Sequence, residues 1–302
     1  MKKEELIAEI SRLKKEKRAV ILAHNYQPDE VQDIADFVGD SLELSRKAAE
    51  VEADLIVFCG VHFMAETAKI LAPGKKVILP DLRARCPMAD MVSGDDLRRM
   101  KNQMRGKKVV AYVNTTAEVK AETDVCCTSA NAVKVVSSLP EAEIIFVPDR
   151  NLANYVSQKT GKKLHVWDGY CPIHEDIRAK NIEKMKKRHP GAEVWAHPEC
   201  RPEVLQLADR ILSTGQMIKE APRTEAKEII IATEVGILHR LRKENPDKKF
   251  YAARDKAVCK DMKRINLKKI YKALLLEEPE VKVDPGIADR ARQAINQMVS
   301  FI

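Results

Sequence analysis

The chain repeats itself three times. Three apolar runs each end in two polar side chains two residues apart: Ile21-Leu22-Ala23-His24-Asn25-Tyr26, Val109-Val110-Ala111-Tyr112-Val113-Asn114 and Val194-Trp195-Ala196-His197-Pro198-Glu199. His24, Tyr112 and His197 fall at offsets of 88 and 85 residues. A second set of runs, starting at Ile56, Ile144 and Ile229, has the same offsets of 88 and 85. Between the two sets lie Gly39-Asp40-Ser41, Thr128-Ser129-Ala130 and Ser213-Thr214-Gly215. A third set, Val77–Leu79, Lys163–Val166 and Phe250–Ala252, follows Lys-Lys pairs, and Cys86, Cys171 and Cys259 come shortly after. The second run starts 30, 27 and 30 residues before its cysteine, so a three-residue deletion in the middle copy explains the changed offsets. A fixed period with several features in one order marks a repeated structural unit.

Amphipathic segments with helical spacing separate the apolar runs, among them Glu4–Lys17, Leu42–Glu50, Phe63–Leu71, Ala130–Leu139, Asn151–Lys159 and Val235–Lys243. Strands alternating with helices of this length predict small parallel sheets covered on both faces. The expected fold is α/β: three pseudo-threefold-related, three-layer αβα units. Unit 1 is residues 1–86, unit 2 is 87–171 and unit 3 is 172–259; a tail, 260–302, carries Leu267–Leu276 and a final helix, Ile287–Phe301, and is expected to pack back on unit 1. Length alone, 302 residues, suggests about two domains. The repeat replaces that number with three.

Composition narrows the class. Hydrophobic residues are 45% and charged residues 32%, which excludes a disordered chain, a collagen and a small disulfide scaffold. No apolar run reaches the roughly 18 residues a membrane helix needs, and the charged start lacks an apolar signal core, so the expected location is the cytoplasm. Seven cysteines, an odd number, are then expected to be reduced, and those that matter to be metal ligands or nucleophiles. The net charge of +8 suggests an anionic partner. Basic residues are interleaved with acids and lack aromatic companions, which favours small anionic substrates over nucleic acid.

Ligands of parallel sheets sit beyond the carboxyl ends of the strands. His24, Tyr26, Tyr112, Asn114, His197, Glu199 and the three matched cysteines all lie at such ends. Threefold symmetry brings equivalent ends to one axis, where Cys86, Cys171 and Cys259 meet. Three thiolates leave a metal one open position, which is what a Lewis-acid catalyst needs. Cys59, Cys126, Cys127 and Cys200 have no such match and read as buried small residues. No CxxC pair exists, which excludes a zinc ribbon, a thioredoxin motif and a ferredoxin run. Hydroxyls at Ser41, Ser129 and Thr214 stand where helices are expected to open, a position suited to phosphates and carboxylates. His174, three residues after Cys171, is a further site candidate. His62, His165, His189 and His239 read as structural or exposed.

Several stretches together resemble the quinolinate synthase family: Ala23-His24-Asn25-Tyr26-Gln27, Ile34–Ser41, Phe63-Met64-Ala65-Glu66, Cys86-Pro87-Met88-Ala89, Tyr112-Val113-Asn114, Thr128–Ala132, Pro148–Leu152, His197-Pro198-Glu199-Cys200 and Ser213–Met217. The resemblance implies a [4Fe–4S] cluster on Cys86, Cys171 and Cys259 with one iron open to substrate. It also implies condensation of iminoaspartate with dihydroxyacetone phosphate to quinolinate, phosphate and water, in de novo NAD synthesis. An iminoaspartate-producing oxidase or dehydrogenase is the partner such an activity suggests. The roles the resemblance implies are acid/base work for Glu199 and for Tyr26 with His24, and orientation of the intermediate by Tyr112 and Asn114. Ser41, Ser129, His174, His197 and Thr214, with His24, are implied to hold the carboxylates and phosphate. A further CxxC that some relatives carry near the third ligand is absent. Competing readings are a hydro-lyase using the same open iron, an iron–sulfur sensor or electron carrier, and an S-adenosylmethionine radical enzyme. The missing fourth matched cysteine counts against the sensor, and the wide cysteine spacing against the radical enzyme.

Overall fold

A computed structural model describes residues 2–301; residues 1 and 302, the outer ends of unit 1 and the tail, lie outside it. Three four-stranded sheets follow one another along the chain, and every pairing within them is parallel. The first contains β1 (Ala19–His24), β2 (Phe37–Gly39), β3 (Leu55–Cys59) and β4 (Lys76–Ile78), in the order β2-β1-β3-β4. The second contains β5 (Lys108–Tyr112), β6 (Val125–Cys127), β7 (Glu143–Val147) and β8 (Lys163–Val166), in the order β6-β5-β7-β8. The third contains β9 (Glu193–Ala196), β10 (Arg210–Ile211), β11 (Glu228–Ala232) and β12 (Lys249–Ala252), in the order β10-β9-β11-β12. The α/β class and the three similar units agree with the repeat. β3 is buried at all five positions, as expected of a parallel strand covered on both faces.

Each sheet has one more strand than the repeat predicts. β2, β6 and β10 are edge strands of three, three and two residues, too short to show a period. An aspartate starts each of them. Asp36, Asp124 and Asp209 accept the backbone N–H of Ile21, Val109 and Val194 at 2.7, 2.8 and 2.7 Å. Their own N–H groups donate to the carbonyls of the same three residues. This doubled bond sets the edge-strand register in each unit, and these aspartates also lie 88 and 85 residues apart.

The tail reaches further than expected. Helix Leu267–Leu276 packs on helix Lys3–Glu16 and β3 of the first unit, whereas helix Pro285–Ser300 packs on helix Ala117–Ala121 and β6 of the second as well as on helices Ser41–Glu50 and His62–Leu71 of the first. Buried Ala288, Ala291, Ala294, Ile295 and Met298 form its inner face. No helix among the described residues is long and apolar enough to cross a membrane.

Asp81 fastens the tail from below. It accepts from Arg83 Nε at 3.1 Å and from Lys269 Nζ at 2.7 Å. Arg83 first, and then Lys269, hold its carboxyl below the usual range. A lowered carboxylate stabilises the fold fully above its unfolded pKa of about 4 and loses that contribution progressively as the pH falls from there through its lower folded-state value. Asp81→Asn is therefore expected to cost about 1–3 kcal/mol at neutral pH, with the difference from the parent shrinking below about pH 4. Urea unfolding at the two pH values checks this.

Candidate active site

The chain leaves β1 and β9 through the same tight turn. Tyr26 N–H donates to His24 Nδ1 at 3.1 Å, and Glu199 N–H to His197 Nδ1 at 3.3 Å. A ring whose Nδ1 accepts carries its proton on Nε2. Burial, helped by the positive charge of Lys263, pushes His24 down to about 3; burial also takes His197 to about 3. Both are neutral at physiological pH and offer Nε2–H as a donor. His197 Nε2 lies 3.2 Å from Ser129 Oγ, and its ring stacks on His174 with centroids 4.6 Å apart.

Glu199 occupies the centre. It is 3% exposed, and Tyr112 Oη donates to its Oε1. Its Oε2 lies 2.7 Å from His174 Nδ1, off the line of a good hydrogen bond. Burial disfavours the carboxylate, but His174, His197 and the Tyr112 hydroxyl outweigh it and hold the acid below its usual range. His174 Nε2 is 2.7 Å from Thr233 Oγ1, which is 2.5 Å from Tyr26 Oη. Tyr26, Thr233, His174, Glu199 and Tyr112 thus form one line of proton-bearing groups drawn from all three units. Burial and then Glu199 push both tyrosines well above the ordinary phenol value, so each enters as an O–H donor. Thr233 is absent from the sequence-derived site. It follows β11 immediately, but a lone threonine at a strand end carries no signal until Tyr26 of another unit is seen beside it. Thr233→Val should break the line between Tyr26 and His174. Turnover is expected to fall by about ten- to a hundredfold with little change in KM, as steady-state kinetics will show.

The three matched cysteines sit in one local structure used three times. A helical turn follows each: Ala89–Met91 after Cys86, Pro172–Glu175 after Cys171 and Met262–Arg264 after Cys259. Asp90, Glu175 and Lys263 donate N–H to the carbonyl of the cysteine four residues earlier, at 3.2, 2.9 and 3.2 Å. His62, Arg150 and Val235 donate N–H to the carbonyl two residues before each cysteine, at 2.8, 2.9 and 3.0 Å. Amides of the same turns point at the sulfurs, from Ala89 and Met88, from His174, and from Met262 and Asp261. Burial dominates and pushes all three thiols up, Cys86 to about 12. A metal must displace those protons, and the amides then stabilise the thiolates. All three are free thiols lining one pocket. Soft thiolates backed by amide N–H groups suit iron–sulfur or another thiophilic metal. Cys171 Sγ also lies with donor atoms of His174 and Glu199 in a group whose members are all within 4.8 Å of one another. The other four cysteines are buried, and none lines this pocket.

The same pocket takes in every other residue singled out above: His24, Tyr26, Ser41, Tyr112, Asn114, Ser129, His174, His197, Glu199 and Thr214. Ser41 and Thr214 are the first residues of their helices, as expected, whereas Ser129 is not. Asp40 and Ser213, not Ser41 and Thr214, cap the helices Ser41–Glu50 and Thr214–Glu220, accepting N–H from Glu43 and Gln216. Ser129 sits in a turn before helix Ala132–Ser138. A residue that caps is occupied with backbone, so the shift by one position leaves the Ser41 hydroxyl to the pocket. Gly215 permits the first and third units to meet here, since a Cβ on it would stand 2.4 Å from Asp40 Oδ2. Of the remaining histidines, His165 pairs with Glu143, His189 stacks on Tyr251 and His239 pairs with Asp33.

A pocket that gathers three thiols, a carboxylate, two phenols and an imidazole from three separate units belongs to an enzyme with a metal-binding centre. Relatives narrow the class. A family described as "Quinolinate synthetase A protein" matches residues 8–300. A quinolinate synthase of Dehalococcoides mccartyi (strain CBDB1) is 55% identical over 299 residues, 99% of each chain. One from Geobacter sp. (strain M21) is 53% identical over 301 residues, covering 100% of this chain and 99% of its own, and one from Methanosarcina barkeri is 52% identical over 300 residues, 99% of each. The chain belongs to the quinolinate synthase family.

Proposed function

We propose that this enzyme condenses iminoaspartate with dihydroxyacetone phosphate to give quinolinate, phosphate and water in NAD biosynthesis. The observation that carries the reading is the threefold cysteine turn: Cys86, Cys171 and Cys259 in matched settings, facing Glu199 across one pocket. These three would hold a [4Fe–4S] cluster with one iron lacking a protein thiolate, which supplies Lewis acidity without electron transfer. Ser41, Ser129 and Thr214 line the rim, with neutral His24 and His197 offering N–H donors. That set suits the substrate carboxylates and the phosphate. Tyr112 and Asn114 orient the intermediate. Glu199 takes and returns protons, and its low pKa makes it a base in the resting enzyme. Tyr26, with His24 beside it, donates a proton to a departing oxygen and recovers one through Thr233 and His174. A small imine of this kind hydrolyses readily in water, so an oxidase or dehydrogenase that makes it is the expected supplier. Anaerobic reconstitution with iron and sulfide, followed by assay for quinolinate from the two substrates, tests the reading. Reconstituted enzyme that makes no quinolinate would refute it.

A further inference from the structure

Glu234 lines the pocket and Lys263 stands behind it, and neither has a part in the chemistry above. Glu234 lies two residues past β11 and is 1% exposed. Its Oε1 accepts the N–H of Cys259 at 3.0 Å, and its Oε2 the N–H of Gly236 at 2.7 Å. Lys263 Nζ is 3.0 Å from the same carboxylate and also donates to the carbonyl of Tyr26. The junction is closed around them: a Cβ on Gly236 would stand 2.6 Å from Lys263 Nζ and 2.9 Å from the Tyr26 carbonyl carbon. Gln32 Nε2, from the first unit, donates to the carbonyls of Gly236 at 2.9 Å and Gln27 at 2.8 Å. One buried network therefore joins the Tyr26 turn of the first unit to the Cys259 turn that closes the third.

The repeat shows that this junction is particular to one cysteine. The positions matching Glu234 are Val61 and Asp149, and those matching Lys263 are Asp90 and Glu175. Val61 brings no charge, and Asp149 spends its Oδ1 on Leu152 N–H at 2.7 Å. Neither has a lysine: at the second cysteine the matching Glu175 pairs with Arg150 and Arg201, whereas at the third the Lys263 that pairs with Glu234 also donates to Tyr26 of the first unit.

We propose that the Glu234–Lys263 pair is a positioning device that sets Cys259 and Tyr26 relative to each other, so that seating the third thiol and placing the Tyr26 phenol are one event. The proposal rests on Cys259 being a metal ligand. The test compares Lys263→Met, Lys263→Arg and Glu234→Gln with the parent after anaerobic reconstitution. Iron and sulfide per chain and the rate at which a chelator bleaches the visible absorbance are measured. Hydrogen exchange of the peptide containing residues 24–28 is followed in metal-free protein. Lys263→Met and Glu234→Gln should bleach about tenfold faster than the parent. Both should also exchange faster over residues 24–28, with no metal present. Lys263→Arg, which keeps the charge, should return both rates to within about twofold of the parent. Parent-like bleaching and exchange in Lys263→Met would overturn the positioning role. A parent protein that takes up no iron would instead overturn the ligand reading on which the role rests, and would be seen before any variant is compared.

Discussion

Glu199→Gln, in protein loaded with its metal, should lower turnover by about two to four orders of magnitude while substrate affinity stays within a few-fold. The amide keeps the size and one acceptor oxygen, so Tyr112 Oη can still donate. It cannot take a proton. It also removes the negative charge that faces His174 and His197, so the line from Tyr26 through Thr233 and His174 ends without a base. The tyrosines should report the change independently of rate. Glu199 helps push both phenols up, so ultraviolet titration of the variant should find the Tyr26 and Tyr112 transitions lower than in the parent. Near-normal turnover in a metal-replete variant would remove Glu199 as the acid/base and shift that role to the tyrosines.

Cys171→Ala should abolish the visible absorbance of reconstituted protein and all turnover with it. The alanine leaves the helical turn Pro172–Glu175 intact, because the turn is held by the carbonyl of residue 171 and the Glu175 N–H rather than by the sulfur. What is lost is one of three donors and the sulfur closest to His174 and Glu199. Two thiols cannot retain a cluster that three hold, and buried Cys86 and Cys259 revert to neutral thiols. The far-ultraviolet spectrum should match that of metal-free parent protein, which separates loss of metal from loss of fold. Iron and colour retained at parental levels would refute the assignment of Cys171 as a ligand.

The repeat was legible because apolar central strands and their polar ends survive in all three units. Ile56, Ile144 and Ile229 are each the second residue of their strands, β3, β7 and β11. The edge strands were not legible, since two or three residues cannot establish a period, although Asp36, Asp124 and Asp209 mark them at the repeat's own offsets. The helix openings at Ser41 and Thr214 were legible, although Asp40 and Ser213 do the capping, whereas the helix expected at Ser129 starts three residues later, at Ala132. Thr233 was missed for a different reason. Its partners, Tyr26 and His174, lie 207 and 59 residues away, and no spacing within a unit encodes the bond to Tyr26 of another. Glu234 and Lys263 escaped likewise, since their meaning is a departure from threefold symmetry rather than an instance of it.

One thiol from each unit has a mechanical consequence. A centre shared by Cys86, Cys171 and Cys259 closes two loops of chain, 85 and 88 residues long, as a cross-link would. By the loop-closure entropy of a disulfide, a single bridge of such length withholds about 4–5 kcal/mol of disorder from the unfolded chain, and this one would be a three-way joint. That joint would add to the packing the units already share, one hydrophobic cluster that runs through all three and the tail helix laid across the first and second. An oxidant that strips the centre would loosen the hold between the units as well as end catalysis, leaving a folded chain with a smaller margin against unfolding.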